Sequence, residues 1–284
     1  MRVSILMFPL LAALLGTAAR AADSAAIAGT SQLEQAAAIL AGKVAAPRER
    51  AVALLDEAVA AGNRDATFLR AILSLRGGDG SGDGKRGLAL LTQAAEQGQG
   101  EAQNMLAMRY LSGDGVAKDD AEAVRWLTRA ADNQVATAQS NLGYLYLNGR
   151  GVARDPAKAA QLLRPAAEQG VTEAQHNLAW MYHTGAGMPK DGAEAVRWYR
   201  RSAEAGYSPS QYNLGLLLAL GEDGVDQTLP EAVKWLSLAA VSPRADVRRQ
   251  ATERFVAVSR SVPADILSTG LDDARRWLVT RRVY

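Results

Sequence analysis

The chain repeats itself every 36 residues. "GEAQNMLAMRYLSGDGVAKDDAEAVRWLTRAADNQV" begins at Gly100, and the next line, "ATAQSNLGYLYLNGRGVARDPAKAAQLLRPAAEQGV", follows in register. "TEAQHNLAWMYHTGAGMPKDGAEAVRWYRRSAEAGY" then runs to Tyr207. Gln103, Gln139 and Gln175 share a column, as do Leu106, Leu142 and Leu178, and Tyr110, Tyr146 and Tyr182. A fixed period of this length marks a stacked array, in which each unit buries its apolar face only against its neighbours.

Each repeat carries two helical patterns. In the first, Glu101 to Leu111 (helix A), Ala102, Leu106 and Tyr110 recur every four residues and share a face. A loop with two glycines follows, at Gly113 and Gly115, Gly149 and Gly151, Gly185 and Gly187. Glycines so spaced end a helix and supply positive-φ positions. Asp119, Asp155 and Asp191 stand where helix B needs an N-cap. Glu122 and Glu194, three residues on, predict capping boxes, and Pro156 sits at a first helical position. Helix B presents Ala123, Trp126 and Ala130 on one face, then Ala159, Leu162 and Ala166, then Ala195, Trp198 and Ser202. Gly170 and Gly206 close it.

The register extends both ways. Residues 208–243 form a further repeat with Gln211, Leu214 and Gly215 in column, a loop one residue longer, and Thr228 with Glu231 as the predicted cap. Residues 64–99 form a degenerate repeat that keeps Leu90, Ala94, Ala95 and Gly98 but lacks the Gln and Tyr columns. Residues 22–63 read as a divergent helix pair, around Gln32–Leu40 and Arg48–Gly62, giving six repeats in all. From 244 to 284 the pattern stops, leaving two helices, about Asp246–Arg260 and Pro263–Thr280, with nine Arg against five acids. These read first as C-terminal capping helices with a polar outer face, and second as a basic docking surface.

Arg2, the apolar run Ile5–Leu15 and the Ala19-Arg20-Ala21 triplet predict a secretory leader over residues 1–21, against the alternative of a disordered apolar tail. The run is too short to span a membrane, so no membrane span is expected and the location is periplasmic or secreted. The chain has no cysteine, which removes disulfides, thiolate metal sites and a lipidated anchor. The formal charge is +2, and Arg2 and Arg20 leave with the leader, so no general field draws nucleic acid.

The pattern AxxxLGxxYxxGxGVxxDxxxAxxWxxxAAxxG, carried by "AQSNLGYLYLNGRGVARDPAKAAQLLRPAAEQG" and its neighbours over residues 64–243, resembles the Sel1-like repeat family. Met188 and Val225 depart from it. The resemblance implies an all-α, right-handed α/α superhelix related to tetratricopeptide solenoids, acting as an adaptor, scaffold or regulator through protein contacts. Some bacterial relatives were once linked to β-lactamase or penicillin-binding activity, but those carry paired cysteines that are missing here. By the same analogy three A-helix columns face a concave groove: Met108, Tyr144, Trp180 and Leu216; Asn104, Ser140, His176 and Tyr212; and Leu111, Leu147, His183 and Ala219. Their residue types vary where the core columns hold steady, as suits a groove for a protein or peptide with a few anchors. The competing reading is plain packing between A helices.

His176 and His183 lie seven residues apart on one helix, too far for both to bind one metal without side-chain reach, so no metal, cofactor or catalytic residue is expected. No G-x-S-x-G, S-x-x-K or H-E-x-x-H occurs, and the acidic pairs sit at helix starts. The favoured function is a non-enzymatic binding scaffold in the cell envelope; the alternatives are a hydrolase of cell-wall or β-lactam substrates and a glycan-binding module. Asp79, Ser81, Asp83 and Gly84 copy the start of a calcium loop, but Leu90 stands where a bidentate Glu is needed. A calcium titration by calorimetry is therefore expected to give no binding heat; a saturable heat would restore the calcium-loop reading.

Overall fold

The computed structural model describes residues 30–78, 83–221 and 224–282. The leader, and Asp79 and Ser81 of the acidic turn, lie outside them. The described residues form fourteen α-helices and no strand. They are α1 (Thr30–Leu40), α2 (Arg48–Ala60), α3 (Arg64–Leu75), α4 (Gly84–Glu96), α5 (Gly100–Ser112), α6 (Asp120–Asp132) and α7 (Ala136–Asn148). Then come α8 (Pro156–Glu168), α9 (Thr172–Thr184), α10 (Gly192–Glu204), α11 (Ser208–Leu220), α12 (Leu229–Ala239), α13 (Ala245–Ser261) and α14 (Ala264–Arg282). From α3 to α12 odd numbers are A helices and even numbers B helices. The chain forms two compact units, one through Ala138 and one from Gln139.

The A-to-B loop is fixed by its backbone. Gly113 and Gly115 both have φ +77, and the glycine pairs at 149 and 151 and at 185 and 187 are likewise positive. The N–H of Asp119 donates to the Tyr110 carbonyl at 3.0 Å. Asp155 and Asp191 repeat the bond to Tyr146 and Tyr182 at 2.9 Å, and Thr228 repeats it to Leu218 at 2.9 Å. The aspartates cap as expected: Asp119 Oδ1 accepts from the amides of Ala121 and Glu122, Asp155 from Lys158, and Asp191 from Glu194. The capping boxes do not form. Each N-cap amide is already bonded to the preceding A helix, so Glu122 and Glu194 turn outward to Arg125 and Arg197. Thr228 does not cap through its side chain either; its hydroxyl donates back to the Asp226 carbonyl, and Glu231 instead binds Arg200 and Trp235.

Two contacts make the stack. Within a pair, the A helix meets its B helix at a column of small residues. A Cβ on Gly143 would lie 2.7 Å from Leu163 Cγ, and one on Gly215 would lie 2.7 Å from Leu236 Cγ. Between pairs, the Gln column does the joining. Gln103 Nε2 donates to the Ala95 carbonyl (3.0 Å), Gln175 to Ala167 (3.1 Å) and Gln211 to Ala203 (3.2 Å). Each carbonyl belongs to the last turn of a B helix, where it also accepts from the amide of the closing glycine (Gly98, Gly170 or Gly206). Gln103, Gln175 and Gln211 are thus each bonded to the second residue, an alanine, of the small pair that closes the preceding B helix.

The degenerate repeat compensates for its losses. Arg70 occupies the Leu106 column and is 2% exposed. It donates to Asp56 at 2.8 Å and to the Ser74 hydroxyl at 2.8 Å, so the buried charge is paired.

Gly187 has φ +75, and a Cβ there would lie 2.5 Å from the Pro156 carbonyl carbon, whereas Gly170 (φ +88) has nothing within 4 Å. Gly170→Ala is expected to lose about 1–2 kcal/mol from the left-handed backbone alone. Gly187→Ala should lose about 1–3 kcal/mol more from overpacking. Urea denaturation of the two variants measures the gap; equal losses would refute the close approach.

Candidate protein-binding face

In the second unit the A-helix columns separate by depth. Tyr144 on α7 is 48% exposed and Trp180 on α9 is 36% exposed, one repeat apart in the same column. Leu216 on α11, the next member, is half-buried. In the second column Ser140 is buried, which removes it from any surface, while His176 and Tyr212 are partly covered. In the third, Leu147 is buried among core residues, and His183 and Ala219 are half-buried. The first unit holds Met108, exposed on α5, with Asn104 and Leu111 half-buried; the Asn104 amide donates to Thr137 at 3.2 Å. The equivalent positions of the degenerate repeat, Phe68 and Ile72, are buried core.

His176 is held by both packing and a proton chain. Its ring lies between Tyr199 (5.4 Å) and Tyr207 (5.2 Å). Nδ1 is 2.8 Å from the Ser210 hydroxyl, which donates to Ser202 at 2.8 Å, which donates to the Thr172 carbonyl at 3.0 Å. Both hydroxyl protons are committed down the chain, so Nδ1 must carry hydrogen and donate to Ser210. Burial, reinforced by the Arg244 charge, pushes the imidazole down to about 4, so at neutral pH the ring is uncharged. Asn213 donates to the Tyr199 hydroxyl at 3.2 Å, and burial pushes that phenol well up.

Two members of this face were not legible from the A-helix columns. Tyr207 is the N-cap residue of α11, and Arg244 is the N-cap residue of α13. Burial raises the Tyr207 phenol, opposed by the hydrogen bond and charge of Arg244, and the phenol also senses Glu173 and Tyr144. Both residues sit in the turn from a B helix to the next A helix, where earlier repeats carry Val135 and Val171. That change of type at fixed register was the available signal.

The face offers ring surfaces, a guanidinium and a rigid backing layer. Among the described residues no group of three or more His, Asp or Glu gathers as metal ligands would, and no helix is long and apolar enough to cross a membrane. An array of A/B helix pairs with aromatic side chains left exposed on its A helices defines an α/α superhelical repeat protein. The Sel1 repeat model matches residues 65–99, 100–135, 136–171, 172–207 and 208–240, and the chain belongs to the Sel1 repeat family. Members of the family are generally protein–protein interaction scaffolds and are typically non-catalytic.

Among solved structures, a protective antigen of uropathogenic Escherichia coli displaying the SLR fold is 28% identical with a TM-score of 0.77, over 88% of this chain. The chain spans 53% of the length of that protein. A Sel1 repeat protein from Oxalobacter formigenes is 25% identical with a TM-score of 0.66, over 81% of this chain and 97% of that one. No curated protein matches significantly. The all-α superhelix expected from the sequence is therefore the fold, with five repeats matched where six helix pairs had been counted.

A buried, neutral histidine makes stability depend on pH. Unfolded, His176 binds a proton near pH 6.5; folded, only near 4. The unfolded state holds more protons in that window, so stability is full above about 6.5 and falls as pH drops toward 4. The loss is expected to reach up to about 3 kcal/mol. Denaturant titrations from pH 7 to 4 should show this slope in wild type and a shallower one in His176→Gln; identical slopes would contradict the assignment.

Proposed function

We propose that the chain is an exported, non-enzymatic scaffold that takes a segment of a partner protein across the A-helix face of its second unit, with Tyr144 and Trp180 as anchors. One observation carries this reading. Two large aromatic side chains stand exposed one repeat apart on rigid 13-residue helices, beside Tyr207 and Arg244, where packing alone would have buried them. Aromatic anchors lose little conformational freedom on binding and supply most of an interface's energy. The ordered ring layer of His176, Tyr199 and Tyr207 backs the face, so it meets a partner already shaped.

The cell envelope is the proposed location, resting on Arg2, the Ile5–Leu15 run and the Ala19-Arg20-Ala21 triplet. Crosslinking and pull-down with the mature chain should recover a partner that the Tyr144→Ala, Trp180→Ala double variant fails to recover. Circular dichroism of the variant should match wild type. Recovery undiminished in the variant would contradict the anchors, and loss of helix content would place the two rings in the core.

A further inference from the structure

The array does not stop at α12. Adding the 37-residue offset that separates Trp198 from Trp235 maps Tyr207 onto Arg244, and both are N-cap residues of the helices that follow. Buried Ser210 and Leu214 of α11 map onto Val247 and Ala251, the two buried residues of α13. Helix α13 is therefore a further A helix, in register and packed on the preceding pair.

Among the described residues no B helix pairs with it. In earlier repeats the A helix meets its B helix at the small-residue column Ala107, Gly143, Ala179 and Gly215, all buried. The same column in α13 holds Thr252, which is exposed. An open groove of about 720 Å³ lies there, lined by one face of α13, with Arg248, Arg249, Thr252, Glu253 and Val256, and by Ala240 at the end of α12. Helix α14 does not fill it. Earlier B helices follow a seven-residue glycine loop such as Gly113–Asp119, whereas α13 ends at Val262 (φ −102, ψ 149) and Pro263 begins the next turn. Helix α14 runs along α12 instead. A Cβ on Gly270 would lie 2.5 Å from the Pro230 carbonyl oxygen, and Trp277 meets Trp235 edge-on at 6.1 Å.

We propose that this vacant B-helix seat on α13 docks an acidic amphipathic helix of another protein. The shape asks for a helix, because a helix fills the equivalent face in every preceding repeat. The charge selects its chemistry. Helix α13 carries four Arg against two acids, with Arg244 at its N-cap, and Arg248 and Arg249 line the groove against the single carboxylate of Glu253. Arg248 also donates to the Ser242 carbonyl at 2.8 Å, which fixes its stem along the seat. Val256 (39% exposed) supplies apolar surface for the partner's inner face. A second copy is the poorer occupant, because α14 carries four Arg against three Asp and α13 is itself basic, so like charges would meet. By the same offset Arg249, Glu253 and Val256 continue the columns of Tyr212, Leu216 and Ala219, so the groove adjoins the proposed partner face at its C-terminal end. The Tyr144→Ala, Trp180→Ala variant tells the two apart, since it should lose the partner of that face and keep the acidic helix.

The probe is a labelled synthetic peptide with the sequence of residues 120–132, a B helix of this chain, in which Arg125 and Arg129 are replaced by Glu. Fluorescence anisotropy with the full chain should show saturable binding, weaker by at least about tenfold for the peptide that keeps both arginines, a difference of one decade in Kd. Arg249→Glu and Thr252→Trp should each weaken binding by a similar factor at unchanged helix content, while the Tyr144→Ala, Trp180→Ala variant binds as wild type. No saturable binding of the acidic peptide, or binding unmoved by both seat variants, overturns the proposal. So does a wild-type dimer in light scattering that Arg249→Glu dissociates, which would give the seat to a second copy.

Discussion

The fold rests on close approach between two helices at a residue with almost no side chain. At Gly143 and Gly215 the A helix comes so near its B helix that a methyl group would meet Leu163 or Leu236 at 2.7 Å. That proximity lets a 13-residue helix, marginal by itself in water, bury enough surface to persist. The glycine loop then follows as a geometric requirement, since the chain must reverse within seven residues and arrive with its N-cap amide against the A-helix carbonyl. Where the loop is lost, after α13, the partner helix lands elsewhere.

The second joint is polar and buried. The glutamine that bridges to the preceding B helix adds a second hydrogen bond to a helix-end carbonyl that already accepts from the closing glycine amide, and its own amide is sheltered from water. A buried hydrogen bond contributes modestly, about 1 kcal/mol, yet an orphaned partner costs more than that. Repetition of the same bond therefore sets register between neighbours as well as adding stability. In the degenerate repeat Thr67 bonds to the Asn63 carbonyl instead, and the buried Arg70 to Asp56 pair takes a structural role there.

Much of the architecture was legible because period and helix chemistry coincide. The two-helix unit, the positive-φ glycines and the capping aspartates all appear where the columns put them. The capping boxes at Glu122 and Glu194 were misread because a local motif shows which groups could bond, while the neighbouring helix had already taken the N-cap amide. The candidate face was half legible. Tyr144 and Trp180 are exposed as their variable column implied, but Ser140 and Leu147 vary in type and are nonetheless buried, so variation between repeats does not by itself mean exposure. Tyr207 and Arg244 escaped notice because they lie in turns, and the vacant seat on α13 could not be seen without knowing where α14 goes.

The pairing principle has a direct physical consequence for α13, which among the described residues has no B helix of its own packed against it. Hydrogen–deuterium exchange of the free chain measures it. Amides of α11, clamped between neighbours, should exchange only through large-scale opening, while those of α13 should exchange at least about tenfold faster through local opening. Equal protection along α11 and α13 would contradict the claim that each A helix depends on a B helix for its stability.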